Sequence, residues 1–250
     1  MQRGKGPHGL ARMGGGDWND GMDGVRGESV WLSWFAALVY RDFAALCEVK
    51  GDAGRAEHYR AFAGELTAAA EQTFHGTHFL RGYYATGETL GSDRDDACRI
   101  DAIAQSFSVL GGGDLARART ALKIAYERLV DDENRLVRLF EPPFTRESQG
   151  NPGYIRAYPP GVRENGGQYT HGALFFAWGL YAAGMTAEAD HVMALLCPTD
   201  RSEAYRAEPC ALCADVYAPP APPGRGGWSL YTGAAAWYYL IARENLADER

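Results

Sequence analysis

The sequence predicts an all-helical array with elaborate loops, of the kind that closes into a toroid with a site at one end. Three observations carry that expectation. Apolar residues recur at helical spacing in seven segments, strand signals are few, and long stretches rich in Gly, Pro and Tyr separate the helices. With 250 residues and 46% hydrophobic content, the chain can bury a substantial core.

Residues 28–50 bring Trp31, Trp34, Phe35, Leu38 and Phe43 near helical spacing, and Gly51 supplies a stop. Asp52 is the expected N-cap of a second helix reaching Phe74, with Tyr59, Phe62, Leu66 and Ala69 as its apolar stripe. The two should form a helical hairpin. The same reasoning predicts helices over 99–110, 114–131 (capped by Asp114), 170–183, 186–197 and 233–246. The best strand signal is LVRLF at 136–140. The intervening segments 75–98, 132–169 and 198–232 are long enough to suggest function, because structureless loops of this length are uncommon in compact domains. No linker divides the chain, which reads as one region.

The net charge of −7 comes from 25 basic and 32 acidic residues without long runs of either sign. That balance argues against nucleic acid and for neutral or small substrates. No run of 18 consecutive apolar residues occurs, and Met1 precedes Gln-Arg-Gly-Lys-Gly instead of an apolar signal core, so the expectation is a cytoplasmic chain without membrane contact. Five scattered cysteines are not a disulfide framework. Cys210 and Cys213 have CxxC spacing, but Cys197 and His191 complete no zinc motif, so no metal and no cofactor is expected.

Four loops carry the candidate chemistry. In GGGDWNDGMDG, residues 14–24, Asp17 and Asp20 flank a tryptophan and an asparagine among glycines. Such a loop fits a simple tight turn. It also fits a general acid, since a carboxyl in a partly apolar, enclosed site can protonate a leaving oxygen, and Asp20 beside Trp18 is the candidate. Trp18 offers a flat face to a sugar. Segment 158–171, YPPGVRENGGQYTH, contributes Arg163, Glu164, Asn165, Gln168 and His171 at a helix entrance. Segment 205–217 offers Glu208 and Asp215, while Thr232 and Gly233 open the last helix, where free N–H groups favour an anion such as phosphate.

GDWNDGM (16–22), GESVWLSWF (27–35), CRIDAIAQSF (98–107), PGYIRAYPPGVRENGGQYTHGA (152–173), EPCALCADVY (208–217) and GRGGWSLYTGAAAW (224–237) follow in the order seen in glycoside hydrolase family 94. The chain resembles the phosphorylases of that family over nearly its whole length, and among them the catalytic domains of cyclic β-1,2-glucan synthases and 1,2-β-oligoglucan phosphorylases. The resemblance implies an (α/α)6 barrel of twelve helices. It also implies inverting phosphorolysis of β-glucosides, β-1,2-glucooligosaccharides being the expected substrate, with release of α-glucose 1-phosphate. By the same resemblance Asp20 is the general acid, and His171, Thr232 and Gly233 bind phosphate. Trp18 and Tyr158 fall on sugar-site aromatics, and Glu164, Gln168, Glu208 and Asp215 are candidates for sugar hydroxyls. Phosphate is the co-substrate and supplies the nucleophile that a second carboxylate would otherwise have to activate.

The family pattern continues with an arginine four residues after the acid. This chain has Gly24 there, and Arg26 is the expected substitute for phosphate contact. Seven helices against twelve imply the C-terminal part of a barrel, with the remainder supplied by a preceding part of the same enzyme or by a second copy, and with apolar faces left exposed. Within a glucan synthase, the chain would lie on the cytoplasmic side of the inner membrane. Two other readings stand beside phosphorolysis: an inverting hydrolase using Asp17 or Glu164 as base, and a sugar-binding fragment without turnover.

Overall fold

The computed structural model describes residues 4–199, 201–230 and 232–246. Its helices are α1 (Val30–Val49), α2 (Ala53–Glu71), α3 (Ala102–Leu110), α4 (Leu115–Leu129), α5 (Thr170–Ala182), α6 (Thr186–Leu196), α7 (Ser202–Tyr205) and α8 (Thr232–Asn245). Seven of these are the helices expected from periodicity. The eighth, α7, is a single turn inside the long loop after α6, too short to leave a periodic signal.

Capping explains where the helices begin. The Asp52 carboxylate accepts the N–H of Arg55 at 3.0 Å, and that of Asp114 accepts the N–H of Arg117 at 2.9 Å. Helix α1 starts two residues later than its apolar pattern, because Glu28 and Ser29 are extended and the Ser29 hydroxyl caps Leu32 N–H at 2.9 Å. Gly51, at φ +76°, follows α1 and lets the chain reverse into α2.

The strands are two residues each: β1 (Ala11–Arg12), β2 (Glu28–Ser29), β3 (Gly82–Tyr83), β4 (Thr89–Leu90), β5 (Ile100–Asp101), β6 (Val130–Asp131), β7 (Leu136–Val137), β8 (Phe140–Glu141), β9 (Gln168–Tyr169) and β10 (Asp215–Val216). The first four make one antiparallel sheet in chain order, and the others pair as β5 with β8, β6 with β7, and β9 with β10. The expected strand over 136–140 is therefore split between β7 and β8, which pair with different partners.

The helices form a two-layered arc. Helices α1, α3, α5 and α8 each pack on the next to form one row, while α2, α4 and α6 return outside α1, α3 and α5. Helix α5 is apolar all round, as its central position requires: Leu174, Phe176, Ala177 and Leu180 are fully buried. Arg41 of α1 ties the row together by donating from Nη2 to the Leu110 carbonyl at the end of α3, 2.8 Å away.

One edge of the arc is uncovered. Helix α1 has the length and mean hydropathy of a membrane-crossing helix, but it packs on α2 and α3 as a core helix does. Its outer stripe of Phe35, Val39, Phe43, Leu46 and Val49 is exposed, at the i, i+4, i+8 rhythm of a face awaiting cover.

Candidate active site

Every inner helix is entered through one of the motif-bearing loops, so their N-terminal ends gather at one rim of the arc. The Asp17–Asp20 loop and β2 lead into α1, β5 leads into α3, β9 leads into α5, and the 224–230 loop precedes α8.

The two carboxylates of the first loop have opposite environments. Asp17 accepts from Arg81 Nη1 at 2.6 Å and Nη2 at 2.7 Å, from the Ser29 hydroxyl at 2.6 Å and from the N–H of Asn19 at 2.9 Å. Neither side chain of the Asp17–Arg81 pair has any solvent exposure. Arg81 also donates from Nε to Asp101 at 3.1 Å, and Asp101 caps α3 by accepting from the N–H groups of Ile103 and Ala104. Burial raises the Asp101 carboxyl despite Arg81 beside it.

Asp20 begins a 3-10 turn, Asp20–Met22, and is exposed instead of enclosed. Its carboxylate accepts a hydrogen bond from the Tyr154 hydroxyl, which partial burial, that bond and the Asp20 charge push up to about 12. The loop is thus a tight turn on its Asp17 side and a presented carboxylate on its Asp20 side. Asn19, between them, is 1% exposed, and neither its amide nitrogen nor its oxygen finds a partner among the described residues.

Trp18 packs edge-on against Tyr169 and His171, with ring centroids 5.3 and 5.7 Å away. It lines a cavity of about 1190 Å3 between the N-terminal loop, α1 and α2. His171, the second residue of α5, also meets Phe175 at 4.5 Å and Trp237 of α8 at 6.1 Å. Burial among these rings lowers its pKa, and its Nε2 has no hydrogen-bond partner among the described residues. Helix α8 opens at Thr232, whose side chain lies outside the described residues, and Gly233 is exposed in that first turn.

A second group forms around Arg163. Pairing of β9 with β10 sets Tyr169 opposite Asp215 and Gln168 opposite Val216, bringing the 158–169 and 205–217 loops together. The Arg163 guanidinium lies 5.0 Å from the Tyr158 ring centre and 5.5 Å from that of Trp228. Its Nε donates to buried Glu164 at 3.2 Å, and its backbone N–H donates to Asp215 at 3.1 Å. Asp215 is 2% exposed, and burial raises its carboxyl although the N–H groups of Arg163 and Trp228 bond it. Gly227 is required there, since a Cβ would lie 2.0 Å from Asp215 Oδ1. Tyr158 connects back to Tyr154, ring centroids 6.1 Å apart, and so to Asp20.

Gln168 is 1% exposed, with Oε1 accepting the N–H of Val137 at 2.9 Å. That bond ties the β9 side chain to β7. Glu208 is exposed, and a hydrogen bond from Ser229 lowers its carboxyl. Arg26 is exposed and lines a cavity with Tyr154 and Arg156 that His171 does not line. Cys210 is exposed and Cys213 buried, and no metal-holding cluster of His, Cys, Asp or Glu occurs among the described residues.

Arg81, Asn19 and Tyr154 were not singled out from the sequence. Arg81 has no local signature, because its partners are 64 and 20 residues away. Tyr154, in contrast, lies in the PGYIRAYPPG run with Tyr158, and that density of aromatics was readable.

The chain is 43% identical over 257 aligned residues to the cyclic beta-(1,2)-glucan synthase NdvB of Rhizobium meliloti, matching 98% of this chain and 9% of that protein. It is 30% identical to 3-O-beta-D-glucopyranosyl-beta-D-glucuronide phosphorylase of Paenibacillus borealis, over 78% of this chain and 26% of that one. It is 29% identical to solabiose phosphorylase of the same organism, over 94% and 32%. The chain therefore spans a third or less of the length of these relatives. Among solved structures it is similar to the GH63 mannosylglycerate hydrolase of Thermus thermophilus, with a TM-score of 0.60 at 16% identity, over 85% of this chain and 48% of that one. That likeness supports the (α/α) toroid architecture. Matched over residues 2–247 by the catalytic domain of the glycosyl hydrolase 94 superfamily, this chain belongs to that family.

Proposed function

We propose that the chain is the catalytic region of a glycoside phosphorylase, or the corresponding region of a glucan synthase. The reaction would be inverting phosphorolysis of β-glucosides, with β-1,2-glucooligosaccharides as substrate and α-glucose 1-phosphate as product. Asp20 donates the proton to the departing glycosidic oxygen. Inorganic phosphate, held by His171 and the first turn of α8 at Thr232 and Gly233, attacks the anomeric carbon from the opposite face. Trp18 and Tyr158 pack against sugar rings.

The single observation that carries this reading is the contrast between Asp17 and Asp20. An inverting hydrolase needs one carboxyl as acid and a second as base. Asp17 is consumed by Arg81, and Glu164, the other candidate base, is buried against Arg163. Of these three carboxylates only Asp20 is accessible, which suits a reaction whose nucleophile is already anionic. His171 adds support, because an unpartnered Nε2 within packed rings is the donor an entering oxyanion would satisfy. The β-1,2 linkage is supported by the identity to a β-1,2-glucan synthase.

The test is incubation of the chain with sophoro-oligosaccharides with and without inorganic phosphate. Glucose 1-phosphate should form only with phosphate, and Asp20→Asn should abolish it. Release of free glucose independent of phosphate would overturn the reading in favour of hydrolysis.

A further inference from the structure

Beyond the rim described above, Arg26, Arg146 and Arg156 line one cavity of about 530 Å3, in the size range of small-molecule sites. Asp23 and Tyr154 complete its polar wall. In a chain of net charge −7, this cavity gathers three cations and one acid. The acid is already engaged: Asp23 Oδ1 accepts the N–H of Tyr154 at 3.0 Å, which joins the two loops. Glu147, next to Arg146 in sequence, bonds Thr145 and feels the Arg146 charge, but does not line the cavity. None of the three arginines has an ion-pair partner among the described residues, whereas Arg81, Arg117, Arg128 and Arg163 all do.

Arg26 is held at φ +53°, a conformation uncommon for a residue with a Cβ. The preceding residue fixes it, since Val25 donates its N–H to Met22 and accepts at its carbonyl from Ala85. Guanidinium groups bind phosphate and carboxylate through paired N–H donors. Three such groups against one carboxylate on the walls of a single cavity leave an excess of positive charge, which makes an oxyanion site.

We propose that Arg26, Arg146 and Arg156 form an oxyanion-binding subsite next to the acid, for a phosphate or carboxylate carried on the sugar chain or supplied as free inorganic phosphate. Its position rests on the reading of Asp20 as the acid. Tyr154, whose hydroxyl donates to Asp20, also lines this cavity. A sugar whose glycosidic oxygen takes the Asp20 proton would therefore extend past Tyr154 toward the arginines. His171 does not line this cavity, so the subsite is separate from the phosphate position proposed above.

The experiment is calorimetric titration of the full chain at low salt with glucose, glucose 6-phosphate, glucuronic acid and inorganic phosphate. It is repeated on Arg146→Gln/Arg156→Gln, on Arg26→Gln and on Asp20→Asn, with circular dichroism confirming that each is folded. The charged sugars should bind roughly tenfold or more tightly than glucose, the scale of one charge-assisted hydrogen bond. The arginine variants should erase that difference, and Asp20→Asn should keep it. If only inorganic phosphate binds and the arginine variants lose it, the oxyanion site stands and its occupant is the free ion. Equal binding of charged and neutral sugars together with phosphate affinity unchanged in the arginine variants overturns the proposal. An anion-binding chain that shows no phosphorolysis would sink the proposed function alone.

Discussion

Arg81 grips Asp17 through two parallel N–H···O bonds of 2.6 and 2.7 Å, with both side chains wholly out of solvent. The same guanidinium holds Asp101 at the start of α3, so one cation fixes the loop before α1 against the cap of the next inner helix. A buried charge survives only when it is paired, and removing one partner leaves the others uncompensated. Arg81→Met should therefore lower unfolding free energy by about 3–5 kcal/mol, the usual cost of breaking a buried pair. Urea denaturation measures it, and a loss below about 1 kcal/mol would contradict the keystone role assigned to Arg81.

The two aspartates of the loop should separate cleanly in experiment. Asp20→Asn removes an exposed carboxylate, so stability should stay within about 0.5 kcal/mol of wild type while phosphorolysis is lost. Asp17→Asn disrupts the Arg81 network and should cost about 3 kcal/mol or more, with activity falling through the misplaced loop. Parallel thermal melts and turnover assays decide the matter. Equal destabilisation by both substitutions would refute the division of labour.

Gly24 stands where the resemblance leads one to expect an arginine, and the local backbone leaves no room for a side chain there. A Cβ at Gly24 would lie 2.6 Å from the Asn151 carbonyl oxygen and 2.6 Å from the Gly153 nitrogen. Both are main-chain atoms of the loop that Asp23 anchors. Gly24→Arg should thus destabilise by roughly 1–3 kcal/mol, as overpacking does, and leave phosphate use unimproved. Gly24→Ala isolates the steric part. A Gly24→Arg variant of unchanged melting temperature and lower phosphate KM would show that the loop yields.

The helical architecture was legible because each helix carries its own apolar period and a local cap: Asp52, Asp114 and Gly51 act within three residues of the feature they control. The four loops were legible as sites because they are too long and too rich in polar and aromatic groups to be mere connections. The pairing of charges within them was not legible. Whether Asp17 or Asp20 is presented depends on Arg81, 64 residues from Asp17, and the enclosure expected for Asp20 is not found, since the turn leaves it exposed. Gln168 illustrates the same limit. The resemblance offers it as a candidate for a sugar hydroxyl, and no local signal announces that its amide oxygen accepts from Val137, 31 residues earlier.

His171 offers a reading of the site that does not depend on turnover. Its folded-state pKa lies below the usual 6.5 because its ring is buried among Trp18, Phe175 and Trp237. Between that lowered value and about 6.5, the unfolded chain binds more protons than the folded one. His171 therefore supports stability above about pH 6.5, and that contribution is lost as pH falls through the folded pKa. An oxyanion placed at Nε2 favours the protonated ring and moves the pKa upward. Phosphate binding should accordingly take up a proton and tighten as pH falls toward the histidine's pKa, within the range where phosphate's own charge is held constant. Imidazole NMR titration of His171 with and without phosphate checks this, with His171→Gln identifying the resonance. A pKa below 6.5 that rises with phosphate is the expected result, and a titration curve indifferent to phosphate would remove His171 from the anion site.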